Sequence, residues 1–233
     1  MSLKGKIAIV TGASKGLGRH IALAFAREGA EVHALGRDVS DLRRLQTALS
    51  RLGKKNRAVR LDVRDEKAVC SFVKEFRHID ILVNNAGIAR CRPLLETPTE
   101  ELREILEVNV VGPFVLSREV LKVMAKKSHG GGHVINIASD AALRGIEQMT
   151  PYVASKHALL GMSRAMSREF RKMGVRVTTY NPGPIATEIL GKGTKNPAWL
   201  DPEEIAKTII HVAALETNVE VREMWVEPMT LEI

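Results

Sequence analysis

Tyr152 and Lys156 stand four residues apart in the stretch TPYVASK, residues 150–156. On a helix that spacing puts both side chains on one face, one turn apart. A free phenol ionises at about pH 10, and a neighbouring ammonium favours the phenolate, bringing the group nearer to proton exchange at neutral pH. Ser139 closes the apolar run HVINIA and precedes the tyrosine by thirteen residues. It is expected at the carboxyl end of a strand, where open α/β sheets bind their ligands. A hydroxyl that polarises an oxygen and a phenol that exchanges a proton with it suit hydride transfer at a carbonyl or alcohol carbon, if a nicotinamide supplies the hydride. Each residue alone has an ordinary alternative, since strand-end serines are common and a tyrosine can simply anchor a helix. Their order after a nucleotide loop favours the chemical reading.

That loop is TGASKGLG, Thr11 to Gly18, between a strand-like run and a segment of helical period. Gly12 is expected to make the tight turn, Gly16 to let the backbone approach a pyrophosphate, and Gly18 to let helix and strand pack closely, with the positive helix end meeting the phosphates. Ser14, Lys15 and Leu17 belong to the same expected cradle. The spacing G-x-x-x-G-x-G differs from the G-x-G-x-x-G dinucleotide fingerprint, although the physics is shared. The second strand-like run ends in Gly36 and Arg37, where a guanidinium can grip a 2′-phosphate, with Lys15 as a second cation. NADP(H) is therefore favoured over NAD(H). Asp38 is the counter-evidence, because a carboxylate there could serve a ribose hydroxyl instead.

The elements that must position these groups are legible as alternation. The runs KIAIV, EVHAL, RAVRL, DILVN, HVINIA, VRVTTY and EMWVE are separated by stretches long enough for helices. Parallel strands joined by right-handed helical crossovers are expected, in a single domain over residues 1–233. A helix should start near Pro151 and carry Tyr152 and Lys156. Residues 105–124, ILEVNVVGPFVLSREVLKVM, read as a long helix interrupted at Gly112 and Pro113. Proline offers no N–H to the carbonyl four residues back, which is that of Asn109. A water shared by that carbonyl and Lys156 would give the tyrosine proton a route to solvent.

Composition narrows the class. Of 233 residues, 45% are hydrophobic and 27% charged, and no apolar run has the roughly 18 residues of a membrane span. The start of the chain shows no export signal, and Cys70 and Cys91 have no metal-ligand spacing, so a cytoplasmic protein without a metal is expected. The net charge of +8 is spread among acidic residues, and aromatics are 4% of the chain. That balance argues against a nucleic-acid partner.

Five motifs in order, with Asn109, give the chain a resemblance to the short-chain dehydrogenase/reductase family over nearly its whole length: TGASKGLG, NNAG at 84–87, Ser139, YVASK at 152–156 and NPGPIATE at 181–188. The resemblance implies a Rossmann-type doubly wound sheet of seven parallel strands with helices on both faces. It implies a catalytic tetrad of Asn109, Ser139, Tyr152 and Lys156, with Tyr152 and Lys156 also beside the nicotinamide ribose. Asp62 and Val63 would border the adenine, and Asn85 and Gly87 would line the cleft. Pro182, Gly183, Ile185 and Thr187 would meet the nicotinamide end. The basic pair Lys15 and Arg37 usually accompanies NADP in this family, and assembly is commonly a homodimer or homotetramer. The substrate expected is a small carbonyl or alcohol compound. The closing VREMWVEPMTLEI and the short ILGKGTKNPAWLDPEE depart from 3-oxoacyl-[acyl carrier protein] reductases, whereas Arg90, Arg92 and Arg144 could receive a carboxylate or phosphopantetheine. A catalytically silent nucleotide sensor on the same fold is a further alternative.

Overall fold

Each apolar run becomes a strand in the computed structural model, which describes residues 3–126, 130–189, 196 and 198–229. The strands are β1 Ile7–Val10, β2 Glu31–Gly36, β3 Arg57–Arg60, β4 Ile81–Asn84, β5 Gly132–Ile137, β6 Val175–Pro182 and β7 Glu223–Val226. They form one sheet in the order β3-β2-β1-β4-β5-β6-β7, every neighbouring pair parallel. Their covered faces explain the uninterrupted apolar runs. On one side Val10, Val32, Ile135 and Tyr180 pack with helices α1 Gly16–Arg27, α2 Val39–Leu52 and α7 Pro202–Ala213. On the other, Ile9, Leu35, Leu82 and Val177 pack with α3 Glu66–Val73, α5 Gly112–Met124 and α6 Thr150–Phe170. Successive residues of each strand thus serve opposite cores.

The chain runs outward from β1 to β3 and then returns to place β4 on the other side of β1. That reversal opens a crevice beyond the carboxyl ends of β1 and β4, the place where doubly wound sheets receive ligands. The glycine loop follows β1 and Asn85 follows β4, so both strand ends feed it.

The expected long helix is divided. Helix α4 Thr99–Leu106 passes through a π turn, Glu107–Val111, before α5 begins. The Gly112 N–H reaches back five residues to the Glu107 carbonyl, the wider loop that accommodates one extra residue. Pro113 follows the π turn directly in a backbone that stays helical through Val111 and Gly112, so its missing N–H falls where the turn has already widened. Gly112 is required by packing, since a Cβ there would sit 2.8 Å from Val63 Cγ2.

Candidate active site

The glycine loop is built for close approach. Gly12 has φ of +63°, and a Cβ on it would fall 2.7 Å from Ala86 Cα. A Cβ on Gly18 would lie 2.4 Å from the Gly12 carbonyl oxygen, so the first turn of α1 rests directly on the loop. Thr11 fixes the other wall: its hydroxyl receives the N–H groups of Asn85 and Ala86 at 2.9 and 3.0 Å. Asn85 Nδ2 in turn donates to the Thr11 carbonyl at 2.9 Å. Helices α2, α3 and α7 start on Asp38, Asp65 and Asp201, whose side chains accept a backbone N–H. Helix α1 starts after Lys15 with no side-chain cap, which leaves its leading N–H groups directed at the cleft.

The cleft encloses 1220 Å³. Gly12, Ser14, Lys15, Gly16, Leu17, Arg37, Asp62, Val63, Asn85, Gly87 and Thr187 all line it, as the sequence leads one to expect. Gly18, Tyr152, Lys156, Pro182, Gly183 and Ile185 are not on its wall: Gly18 packs beneath the loop, and Tyr152 and Lys156 are buried behind it. Pro182 ends β6, the Gly183 N–H donates to the Val226 carbonyl at 2.8 Å, and Ile185 forms a bridge with Leu200. Asp38 is committed to its helix: its carboxylate accepts the Asp41 N–H and the Ser40 hydroxyl, both at 2.8 Å. These bonds hold its pKa below the ordinary carboxylate value. Arg37 is half-exposed, with Nη1 3.9 Å from Asp62 Oδ2, while Asp62 is itself clasped by Arg64 at 2.6 Å.

Of the expected tetrad, Asn109 and Lys156 lie behind Gly87, Tyr152 stands beside Lys156, and Ser139 hydrogen-bonds Tyr152. A Cβ on Gly87 would lie 3.4 Å from Asn109 Oδ1 and 3.7 Å from Lys156 Nζ. The Asn109 carboxamide, carried on the π turn, is fully engaged. Its Nδ2 donates to the Ile88 carbonyl at 2.9 Å and to Ser155 Oγ at 3.0 Å, and its Oδ1 accepts the Ile88 N–H at 2.9 Å. Ser155 passes its own proton to the Tyr152 carbonyl at 2.7 Å, tying the π turn to α6.

Lys156 is buried and donates to the Ile137 carbonyl at 2.9 Å. Its ammonium lies 5.5 Å from the centroid of the Tyr152 ring, a cation–π arrangement. Helical spacing therefore predicts the proximity correctly, but the expected lowering of the phenol is reversed in this arrangement. Burial pushes Tyr152 up to about 12; hydrogen bonding with Ser139 lowers it in part, and the Asp140 charge adds to the rise. Desolvation likewise brings Lys156 down to about 8. The low-dielectric surroundings disfavour both charged forms. Chemically, the set offers a protonated acid and a weakly held ammonium.

Two features escape the sequence reading. Asp140, in the one-turn helix Asp140–Ala142, accepts the Ser139 hydroxyl at 2.7 Å and is held by Arg144 Nη2 at 2.7 Å. A buried row also links β4 and β5 to their helices: Asn84 Nδ2 donates to Ser117 Oγ and Asn136 Oδ1, and Asn136 Nδ2 to Ser163 Oγ. The three arginines considered for an anionic substrate already face carboxylates. Arg90 meets Glu104 at 2.6 Å, Arg92 meets Glu101 at 3.4 Å, and Arg144 is paired as described. The segment between β6 and α7 contains residues 190–195 and 197, and the end of the chain contains 230–233; both lie outside the described residues. Among the described residues no helix is long and apolar enough to cross a membrane, and no cluster of His, Cys, Asp or Glu could hold a metal.

Comparison with known proteins fits this geometry. The family model described as short chain dehydrogenase matches residues 6–198. Farnesol dehydrogenase of Aedes aegypti is 35% identical over 237 residues, covering 97% of this chain and 96% of that protein. The 3-oxoacyl-[acyl-carrier-protein] reductase of Escherichia coli is 38% identical over 193 residues, covering 81% of this chain and 77% of that protein. Among solved structures, an alcohol dehydrogenase from the archaeon Thermococcus sibiricus complexed with 5-hydroxy-NADP superposes with a TM-score of 0.91. It is 30% identical, and the match covers 98% of each chain. With the sheet order, the glycine cradle and the convergence behind Gly87 all in place, these matches establish that the chain belongs to the short-chain dehydrogenase family of oxidoreductases.

Proposed function

We propose that the protein is an NADP(H)-dependent oxidoreductase that interconverts a carbonyl compound and a secondary alcohol, with Tyr152 exchanging the proton. The observation that carries this reading is that Asn109 and Lys156 lie directly behind Gly87, a wall residue of the cleft made by the glycine loop, with Tyr152 beside Lys156. The residues present fit a dinucleotide: the uncapped start of α1 suits its pyrophosphate, and Lys15 and Arg37 suit a 2′-phosphate. Asp38, engaged as a helix cap, is poorly placed to favour an unphosphorylated ribose. Bound there, the cofactor supplies or accepts the hydride.

The chain's own part is proton handling and positioning. In the reducing direction the acid required is the neutral phenol, and burial of Tyr152 keeps it neutral at physiological pH. Lys156, anchored on Ile137, holds the ring in place and offers a proton source in reach of solvent pH. Asn109 locks the π turn to α6, so that the helix carrying Tyr152 cannot drift from the cleft. Ala89, Ala141, Ile146 and Met149 pack around the tyrosine. This apolar wall and the paired arginines support an uncharged substrate. Two or four copies are expected to associate, after the family pattern.

The test is NADPH consumption with uncharged ketones, keto acids and acetoacetyl thioesters in parallel, on the parent and on Tyr152→Phe. Loss of one hydroxyl should lower kcat by about 100-fold or more while NADPH still binds. Undiminished turnover by Tyr152→Phe would overturn the reading.

A further inference from the structure

Ser139 has one hydroxyl proton, and the structure commits it to Asp140 Oδ1 at 2.7 Å. The same carboxylate oxygen receives the Ala141 N–H at 2.9 Å, and the other oxygen receives Arg144 Nη2 at 2.7 Å and Nε at 3.2 Å. Asp140 is 4% exposed. A carboxylate held this far from water is destabilising unless it is fully bonded, and this one is. Beyond it, Arg144 lies 3.7 Å from Glu227 Oε1, in the segment after β7. Ser139 also hydrogen-bonds Tyr152, so a chain of groups runs from the phenol through Ser139, Asp140 and Arg144 to Glu227.

Direction matters in such a chain. With its proton given to Asp140, Ser139 has only lone pairs to offer the neutral phenol, so Tyr152 O–H is the donor of that pair; the bond lowers the phenol's pKa only where the Ser139 proton turns from Asp140 to the phenolate. The proposed reaction makes no direct use of Asp140, which is not among the residues lining the cleft. We propose that Asp140 is a positioning residue that fixes the Ser139 hydroxyl as an acceptor, so that Tyr152 is kept loaded with its proton until a substrate oxygen takes the place of Ser139. Arg144 holds the carboxylate in position and offsets its charge, while its far side faces Glu227. This inference rests on the reading of Tyr152 as the proton donor.

The charged groups facing the phenol are Lys156 on α6 and Asp140 at the turn after β5, with Arg144 and, after β7, Glu227 lined up beyond Asp140. Of these, Asp140 contributes a rise to the phenol. Removing its charge should therefore ease loss of the Tyr152 proton. The chain has two tyrosines, Tyr152 and Tyr180, so a Tyr180→Phe background leaves one phenol to follow by its own absorbance. Tyrosinate absorbance is read within milliseconds of an alkaline pH jump, before unfolding, in the whole protein. Asp140→Asn should move the midpoint down by about one pH unit, roughly tenfold more tyrosinate at a given pH. In parallel, the acid limb of NADP-linked oxidation of 2-butanol should move the same way. Asp140→Ser, which keeps a bonding oxygen without charge, serves if Asp140→Asn does not fold and should give the same direction. An unmoved or raised midpoint, with Tyr152→Phe inactive, would overturn the role of Asp140 alone. An active Tyr152→Phe would instead sink the functional reading beneath it.

Discussion

At Lys156 the protein buries an ammonium whose proton affinity desolvation lowers to about 8. The unfolded chain holds that proton more tightly, up to its ordinary 10.5. The charge therefore costs stability fully below pH 8, and the cost fades between pH 8 and 10.5. Lys156→Met keeps the length and removes the charge. After allowing for the lost bond to Ile137, it should raise the free energy of unfolding at pH 7 by about 2 kcal/mol while turnover collapses, as urea titration and kcat would show. A variant less stable than the parent would mean that the ammonium is better solvated than the packing suggests. Ser139, Tyr152 and Lys156 are legible in sequence because their relation is local, one strand end and one helical turn. The balance of forces on the phenol is not local. Spacing brings Lys156 near Tyr152, but only three-dimensional packing shows that the ammonium faces the ring and that burial governs the proton. Asp140 is hidden for the same reason, since an aspartate after a strand reads as a turn former until the serine hydroxyl is seen pointing at it.

At the scale of elements, the cofactor question becomes one of where β2 stops. It stops at Gly36, which leaves both Arg37 and Asp38 on the cleft wall but ties the Asp38 carboxylate to the start of α2. The two neighbours should respond differently to substitution. Arg37→Asp is expected to weaken NADPH far more than NADH, whereas Asp38→Ala should cost about 1 kcal/mol of stability and leave the preference unchanged. Nucleotide fluorescence titrations and thermal melts separate these outcomes; equal losses for both nucleotides in Arg37→Asp would remove the argument for a 2′-phosphate. From sequence the residue at which a strand ends is uncertain by a position or two, which is why Asp38 competes with Arg37 there. The break in the long helix shows a similar boundary. Pro113 announces an interruption, and it is the chain's way of fitting a surplus residue that makes the interruption a π turn over Asn109. No local preference distinguishes a π turn from a kink, because the choice depends on what Asn109 finds to bond with across the fold.

For the molecule as a whole, the seven runs and their order of connection are legible because each strand is apolar throughout and each crossover is long enough for a helix. Polar groups inside that core are the part that composition conceals. His133, in β5, is buried with Nε2 2.8 Å from Thr178 Oγ1, and desolvation takes it down to about 3 from its ordinary 6.5. The unfolded chain takes up that proton first, so stability is full above pH 6.5 and falls as the pH drops towards 3. Between pH 7 and 5 the loss from this residue should be about 2 kcal/mol, and His133→Gln should flatten the slope in urea titrations at the two pH values. An unchanged slope would place the acid sensitivity elsewhere. Because all seven strands point the same way, the two rims of the sheet carry different burdens. Damage at the rim holding Gly12, Gly87 and Ser139 would yield a protein that is whole but idle, while damage at the far rim, where Asp80 accepts the Ile7 N–H and Asn56 the Val32 N–H, would yield one that never assembles.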